Sequence, residues 1–143
     1  MNKVAKISIT LTWVFQILTA LIHSASFFVD QVPTNETERQ LVELMQNYKA
    51  DLGAGYHRTM EELFTSVSAC LTLFCLFGGL MTRYLSKNIE NTRILRGVMA
   101  INAFTFGIAF IVMLFFAFLP PRVCMGLIFF SALASTLSLK QKM

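Results

Sequence analysis

Polar positions recur at helical spacing along the first long apolar segment of the chain. Successive members lie three or four residues apart, which is the period that places side chains on one face of a helix. Apolar residues fill the intervening positions. The sequence therefore predicts a membrane helix with a first polar stripe, which consists of Ser8, Thr12, Gln16, Thr19, His23, Ser26 and Asp30.

The second long apolar segment repeats this pattern. A helix surrounded by lipid has no water to satisfy polar groups, so such groups must face other helices or a cavity. We therefore expect this segment to face the first. Its second polar stripe consists of His57, Glu61, Thr65, Ser68, Thr72, Cys75 and Gly79.

Four apolar segments approach or exceed the roughly 20 residues that a membrane-spanning helix needs. They cover residues 7–29, 59–85, 94–119 and 122–139. The connections after the second and third segments are short, so neighbouring helices should be antiparallel. The sequence predicts an all-α membrane protein, an up-and-down bundle of four transmembrane helices forming one integral membrane domain over residues 1–143. We expect the first segment to be retained as a helix, because it is too long for a signal-peptide core.

The segment of residues 30–58 is the only substantial polar stretch. Pro33 ends the first helix, and Thr34 or Asn35 is a typical helix N-cap. Leu41, Leu44, Met45 and Tyr48 then share one helical face, which predicts a short amphipathic helix over residues 36–49. Its apolar face would lie on the membrane surface or cover the mouth of the bundle.

Composition agrees with a membrane location, because 55% of the residues are hydrophobic and only 14% are charged. Lysine and arginine precede the first segment, flank the connection between the second and third, and follow the fourth. The positive-inside rule then predicts that both termini are cytoplasmic and that residues 30–58 lie outside. The net charge of +4 comes from these lysines and arginines, which set the orientation in the membrane. We therefore expect no nucleic-acid partner.

Gln16, His23 and Glu61 are the costliest groups to place in hydrocarbon. At a rise of about 1.5 Å per residue, counting inward from Asp30 and His57 predicts that His23 is level with Glu61 and Thr65. It also places Gln16 level with Thr72. We expect His23 to lie within hydrogen-bonding or one-water distance of Glu61 or Thr65, as either an acid/base pair or a mutually satisfied structural pair.

A ligand site formed by both polar stripes would use residues from the outer and middle parts of the bundle. The competing interpretation is helix packing, for which small hydroxylated residues are the normal material. Ser131, Ser135 and Ser138 of the fourth segment and Asn102 of the third are predicted to make such packing contacts. The candidate ligand-binding residues are Gln16, Thr19, His23, His57, Arg58, Glu61, Thr65 and Ser68, with His23 and Glu61 as the catalytic candidates.

Haem and metals find little support in the spacing. His23 and His57 differ in predicted depth by about 10 Å, whereas the two axial ligands of one haem lie only about 4 Å from each other. Two histidines without a local motif are also weak support for zinc. Cys70, Cys75 and Cys124 lie inside apolar segments, so we expect them to act as small apolar side chains.

His23, the external segment and the sequence Gly55-Tyr56-His57-Arg58-Thr59-Met60 together resemble an uncharacterised family of small four-helix bacterial inner-membrane proteins. The resemblance covers roughly the first half of the chain. It implies a four-helix architecture and a bacterial inner-membrane location, and it supplies no activity. Members of that family often carry a further histidine where this chain has Ser66-Val67-Ser68.

Three functions are compatible with the sequence. The leading hypothesis is a small membrane protein without catalytic activity that binds an amphipathic ligand, such as a lipid or a quinone, or serves as a subunit of a larger membrane assembly. The alternative is a membrane enzyme in which His23 and Glu61 perform acid/base chemistry on a lipid-like substrate. The third is a small exporter, although the first helix carries no carboxylate before Asp30.

Overall fold

The computed structural model describes residues 2–29 and 32–139 and contains four long apolar helices. Helix α1 (Lys3–Ala25) continues into a 3-10 turn (Ser26–Phe28), and the later long helices are α3 (Met60–Asn88), α4 (Thr92–Phe116) and α5 (Leu119–Ser138). A short helix α2 (Glu36–Asn47) and a hairpin of strands β1 (Lys49–Asp51) and β2 (His57–Thr59) lie between α1 and α3. All four long helices are long and apolar enough to cross a membrane. The predicted fold class is confirmed, and the chain is a small integral membrane protein in contact with lipid.

The helix ends differ from the predicted ones for local reasons. Helix α1 begins about one turn before the predicted start at residue 7. The Asn2 side chain caps the helix there, because it accepts a hydrogen bond from the Ala5 amide at 2.7 Å. The short connection between the third and fourth segments, expected at residues 120–121, lies instead at Ala117 and Phe118, and residues 120 and 121 are Pro120 and Pro121. Both prolines belong to the first turn of α5, where a missing N–H group costs nothing because it would have had no helical partner.

The external segment contains the predicted helix α2, and its N-cap is Asn35, whose side chain accepts a hydrogen bond from the Glu38 amide at 2.8 Å. The hairpin that follows was not predicted. Its antiparallel strands pair Lys49 with Thr59 and Asp51 with His57. The turn holds Gly53, Ala54 and Gly55 at positive φ, a conformation that glycine adopts without strain. Strands of three residues are too short to show an alternating pattern.

The chain forms two compact units, and α1 and α3 each contribute to both. The first unit comprises residues up to Ala20 and residues from Phe74 onward. It contains parts of all four long helices and the buried core, in which Ile9, Met99 and Ala132 are almost completely inaccessible. The second unit is Leu21–Leu73, which contains the end of α1, the external segment and the first half of α3.

Close packing of α4 on α5 dominates the first unit. Gly107 on α4 lies against the ring of Phe129, and Gly126 on α5 lies against the ring of Phe110, so that a methyl group added at either glycine would come within 3.0 Å of the ring. Small residues therefore let the two backbones approach around large aromatic side chains.

Candidate functional site

Within the first unit, the first polar stripe faces neighbouring helices. Ser8, Thr12, Gln16 and Thr19 are all buried. The Gln16 side chain is completely inaccessible, and its Nε2 donates a hydrogen bond to Asn102 Oδ1 on α4 at 2.7 Å. Thr12 Oγ1 and Ser131 Oγ on α5 form a hydroxyl pair at 3.1 Å. The predicted helix-packing contacts of Asn102 and Ser131 are confirmed, although the pairing of Gln16 with Asn102 was not foreseen.

Two polar atoms in this packed region have no hydrogen-bond partner among the described residues. They are Gln16 Oε1 and Thr82 Oγ1, and both side chains are completely inaccessible. Asn102 leaves Gln16 Oε1 unpaired, since its Oδ1 accepts from Gln16 Nε2 and its amide nitrogen donates to the Val98 carbonyl at 3.0 Å. These side chains therefore link neighbouring helices. Gln16 Oε1 and Thr82 Oγ1 could still accept a hydrogen bond.

Helices α1 and α3 cross closely at a pair of glycines. A methyl group on Gly78 would lie 3.0 Å from Gln16 Nε2, and one on Gly79 would lie 2.7 Å from Ile17 Cγ1. One turn further along α3, the Arg83 guanidinium lies over the ring of Trp13 at 5.0 Å. These contacts establish an antiparallel register in which Gln16 lies beside Gly78, whereas counting from the helix ends placed it level with Thr72. The difference arises because the glycines, which allow the closest backbone approach, fix the crossing point.

His23 lies in the second unit, near the end of α1, and is half-buried. Its Nε2 has no hydrogen-bond partner among the described residues, and its ring contacts Phe27 edge-to-face with a centroid distance of 5.9 Å. Thr72 Oγ1, on the part of α3 that belongs to the same unit, is also buried without a hydrogen-bond partner among the described residues.

Glu61 and Thr65 are both exposed on the first turns of α3. Within the described part of the chain, neither forms a hydrogen bond or ion pair with His23, so the direct form of the predicted contact is absent. The water-bridged form stays a prediction, and so does the catalytic pair. Ser68 is half-buried. No residue of α3 before Cys75 is buried.

Glu62, the neighbour of Glu61, stabilises the start of α3. Its carboxylate accepts a hydrogen bond from the Thr59 amide at 3.0 Å, and its own amide donates to Thr59 Oγ1 at 3.2 Å. This reciprocal arrangement is a capping box that starts α3. The spacing of threonine and glutamate by three residues was visible in the sequence but was not used.

His57 and Arg58 are exposed on β2. His57 pairs across the hairpin with Asp51, and Asp30 of the first polar stripe lies outside the described residues. Within residues 2–29 and 32–139, no group of three or more His, Cys, Asp or Glu side chains is arranged to hold a metal ion.

A shallow, open depression of about 550 Å³ lies beside α2. Its lining residues are Gln40, Glu43, Leu44, Asn47 and Tyr48, none of which belongs to the two polar stripes. The candidate ligand-binding residues are thus distributed between a packed helix interface, an exposed helix face and the hairpin. Whether they bind a ligand stays a prediction.

Comparisons with known proteins add no functional assignment, because no protein-family model, no curated protein and no solved structure matches the chain.

Proposed function

We propose that the protein is a small subunit of a membrane assembly and that a partner helix packs on the outer half of α3, residues 60–73. The observation that carries this proposal is the complete lack of buried residues in α3 before Cys75, in a helix that also carries polar side chains. Val67, near the centre of this surface, is 69% exposed. Such a surface is available to another protein.

An exposed polar side chain on this surface favours a protein partner over lipid alone. Thr65 is exposed on the outer half of α3. Lipid tails offer no hydrogen-bond partner, and polar groups in hydrocarbon are costly unless they are paired. A partner helix with small or polar side chains would pack against Thr65 and pair with its hydroxyl.

The ligand-binding alternative receives less support from the geometry. The depression beside α2 involves none of the candidate ligand residues, and Gln16 and Thr12 are engaged in contacts between helices. The enzymatic alternative lacks the direct contact between His23 and Glu61. The ligand-binding alternative nevertheless predicts a distinct outcome in the same experiment.

Native mass spectrometry of the protein released from lipid nanodiscs tests the proposal. We expect a species heavier than the 16.1 kDa chain by the mass of a second copy or another protein. Thr65→Val should lower the associated fraction several-fold, whereas Thr65→Ser should retain it. Ser66→Ala is the matched control, because the Ser66 hydroxyl already donates to the Glu62 carbonyl at 2.7 Å.

A strictly single-chain species would contradict the subunit proposal. If that species carried a bound lipid-like molecule lost in Thr65→Val, the ligand-binding alternative would replace it. Equal association in Thr65→Val and Ser66→Ala would exclude the outer half of α3 as the contact surface.

A further inference from the structure

Helix α2 leaves half of its apolar face uncovered. Val42 and Met45 are half-buried on one side of this face, and α2 contacts β2. Leu41, Leu44 and Tyr48 occupy the adjoining part of the same apolar face, and Leu44 and Tyr48 are 60% and 61% exposed. Glu43 and Asn47 adjoin this part, whereas Arg39 and Gln46 lie on the opposite, polar side. This exposed apolar strip, Leu41, Leu44 and Tyr48, has no partner within the described chain.

The hairpin register holds the end of this strip beside a membrane-spanning helix. Tyr48 is the C-cap of α2, and the next residue, Lys49, pairs directly with Thr59. Thr59 immediately precedes α3, which it caps together with Glu62. Paired residues in antiparallel strands have Cα atoms only about 5 Å apart. The C-terminal end of α2 is therefore fixed next to the outer end of α3.

The other end of α2 is also tethered to a span. The 3-10 turn that ends the first span finishes at Phe28, and α2 begins at Glu36. The chain from Phe28 to Glu36 spans at most about 29 Å when fully extended. Helix α2, about 18 Å long at the helical rise, is thus confined to the neighbourhood of the outer ends of α1 and α3.

The side chains of the strip indicate which environment surrounds them at that location. Leucine side chains favour the acyl region and tyrosine favours the headgroup level, so the strip matches the boundary between them. The charged residues of α2 are Glu36, Glu38, Arg39 and Glu43, an acidic excess that gives no attraction to anionic lipid. Binding would therefore depend on apolar insertion.

We infer that α2 is an interfacial helix whose exposed apolar strip inserts into the boundary between headgroups and acyl chains of the outer leaflet. The inference does not depend on a partner subunit. By inserting, α2 would hold the hairpin and the start of α3 at a defined depth in the membrane.

Tryptophan fluorescence in bilayers with brominated lipid tests the inference. The chain has one tryptophan, Trp13, so Leu44→Trp and Gln46→Trp are made in a Trp13→Phe background. We expect phosphatidylcholine brominated near the headgroup to quench the tryptophan at position 44 at least twofold more than that at position 46. Adding anionic lipid should not increase the quenching.

Should Trp13→Phe fail to fold, the same two substitutions are compared in the natural background after subtraction of the parent signal. Equal quenching at both positions would overturn the inference. So would a tryptophan at position 44 that is shielded from aqueous acrylamide and yet unquenched by brominated lipid, because this result would place the strip against protein.

Discussion

At the residue scale, chemically similar side chains in the two polar stripes have opposite environments. Thr12 is completely buried and forms a hydroxyl pair with Ser131. Thr65 is exposed, and the Thr72 hydroxyl has no partner in the described chain. Spacing identifies a shared face, but the position of a neighbouring helix determines whether that face is packed.

Gly79 provides a direct test of the crossing between α1 and α3. The substitution Gly79→Ala should lower the free energy of unfolding by about 1–3 kcal/mol, because its methyl group would lie 2.7 Å from Ile17 Cγ1 and 3.2 Å from the Ile17 backbone nitrogen. Unfolding titrations in mixed detergent would measure it. The matched control is Gly97→Ala on α4, where a methyl group meets nothing within 4 Å and should be neutral or slightly stabilising. An equal effect of both substitutions would contradict the crossing.

The hydrogen bond between Gln16 and Asn102 predicts an energetic coupling between α1 and α4. A double-mutant cycle with Gln16→Leu and Asn102→Leu should give a coupling of about 0.6–1.7 kcal/mol, the range found for hydrogen bonds between membrane helices. The control cycle pairs Gln16→Leu with Ser135→Ala, because the Ser135 hydroxyl donates to the Ser131 carbonyl at 2.8 Å. Zero coupling in the first cycle would show that the side-chain amides act independently.

At the scale of elements, caps define where the helices begin and end. Asn35 caps α2, Thr59 and Glu62 cap α3, and Asn91 caps α4 through its side-chain oxygen. Arg122 acts at the opposite end of α4, where its Nε donates to the Met113 carbonyl at 3.2 Å. A positive charge favours the C-terminal end of a helix, which explains an arginine on the side of the membrane expected to be poor in them.

Glu38 makes the start of α2 sensitive to acid. The Thr34 amide and hydroxyl both donate to its carboxylate at 2.7 Å, and these bonds hold the pKa of Glu38 below its ordinary value of 4.5. Because the folded pKa is lowered, the stabilisation is complete above the ordinary value and is lost as the pH falls through the folded one. We therefore expect the first turn of α2 to fray below about pH 4.

Backbone NMR chemical shifts of residues 36–39 would follow this transition. Glu38→Gln should weaken the cap at neutral pH and remove the acid-dependent step. Glu43→Gln, a change on the same exposed helix, should leave the step intact. Persistence of the step in Glu38→Gln would assign it to another carboxyl group.

At the scale of the whole molecule, the four long helices and the distribution of lysine and arginine predict one orientation. With both termini cytoplasmic, a membrane-impermeant maleimide should label Glu43→Cys in intact cells and label Lys3→Cys only after permeabilisation. The parent protein is the control for its three native cysteines, Cys70, Cys75 and Cys124. Labelling of both introduced cysteines from the same side would contradict the orientation.

The sequence by itself determined the class of the protein and most of its elements. Four apolar runs require four helices, because only hydrogen bonds within a helix satisfy the backbone in lipid. The amphipathic period and cap of α2 likewise depend on adjacent residues, so both were predictable locally.

Only the tertiary structure decided which polar groups meet. The glycine pair at Gly78 and Gly79 sets the depth at which α1 crosses α3, and this contact places Gln16 beside Gly78 and not at the level of Thr72. Counting from the ends of apolar segments could not reveal this, because the ends of α1 and α3 need not lie at the same height. Packing between distant residues fixes the register, and the register determines whether two polar stripes form a site.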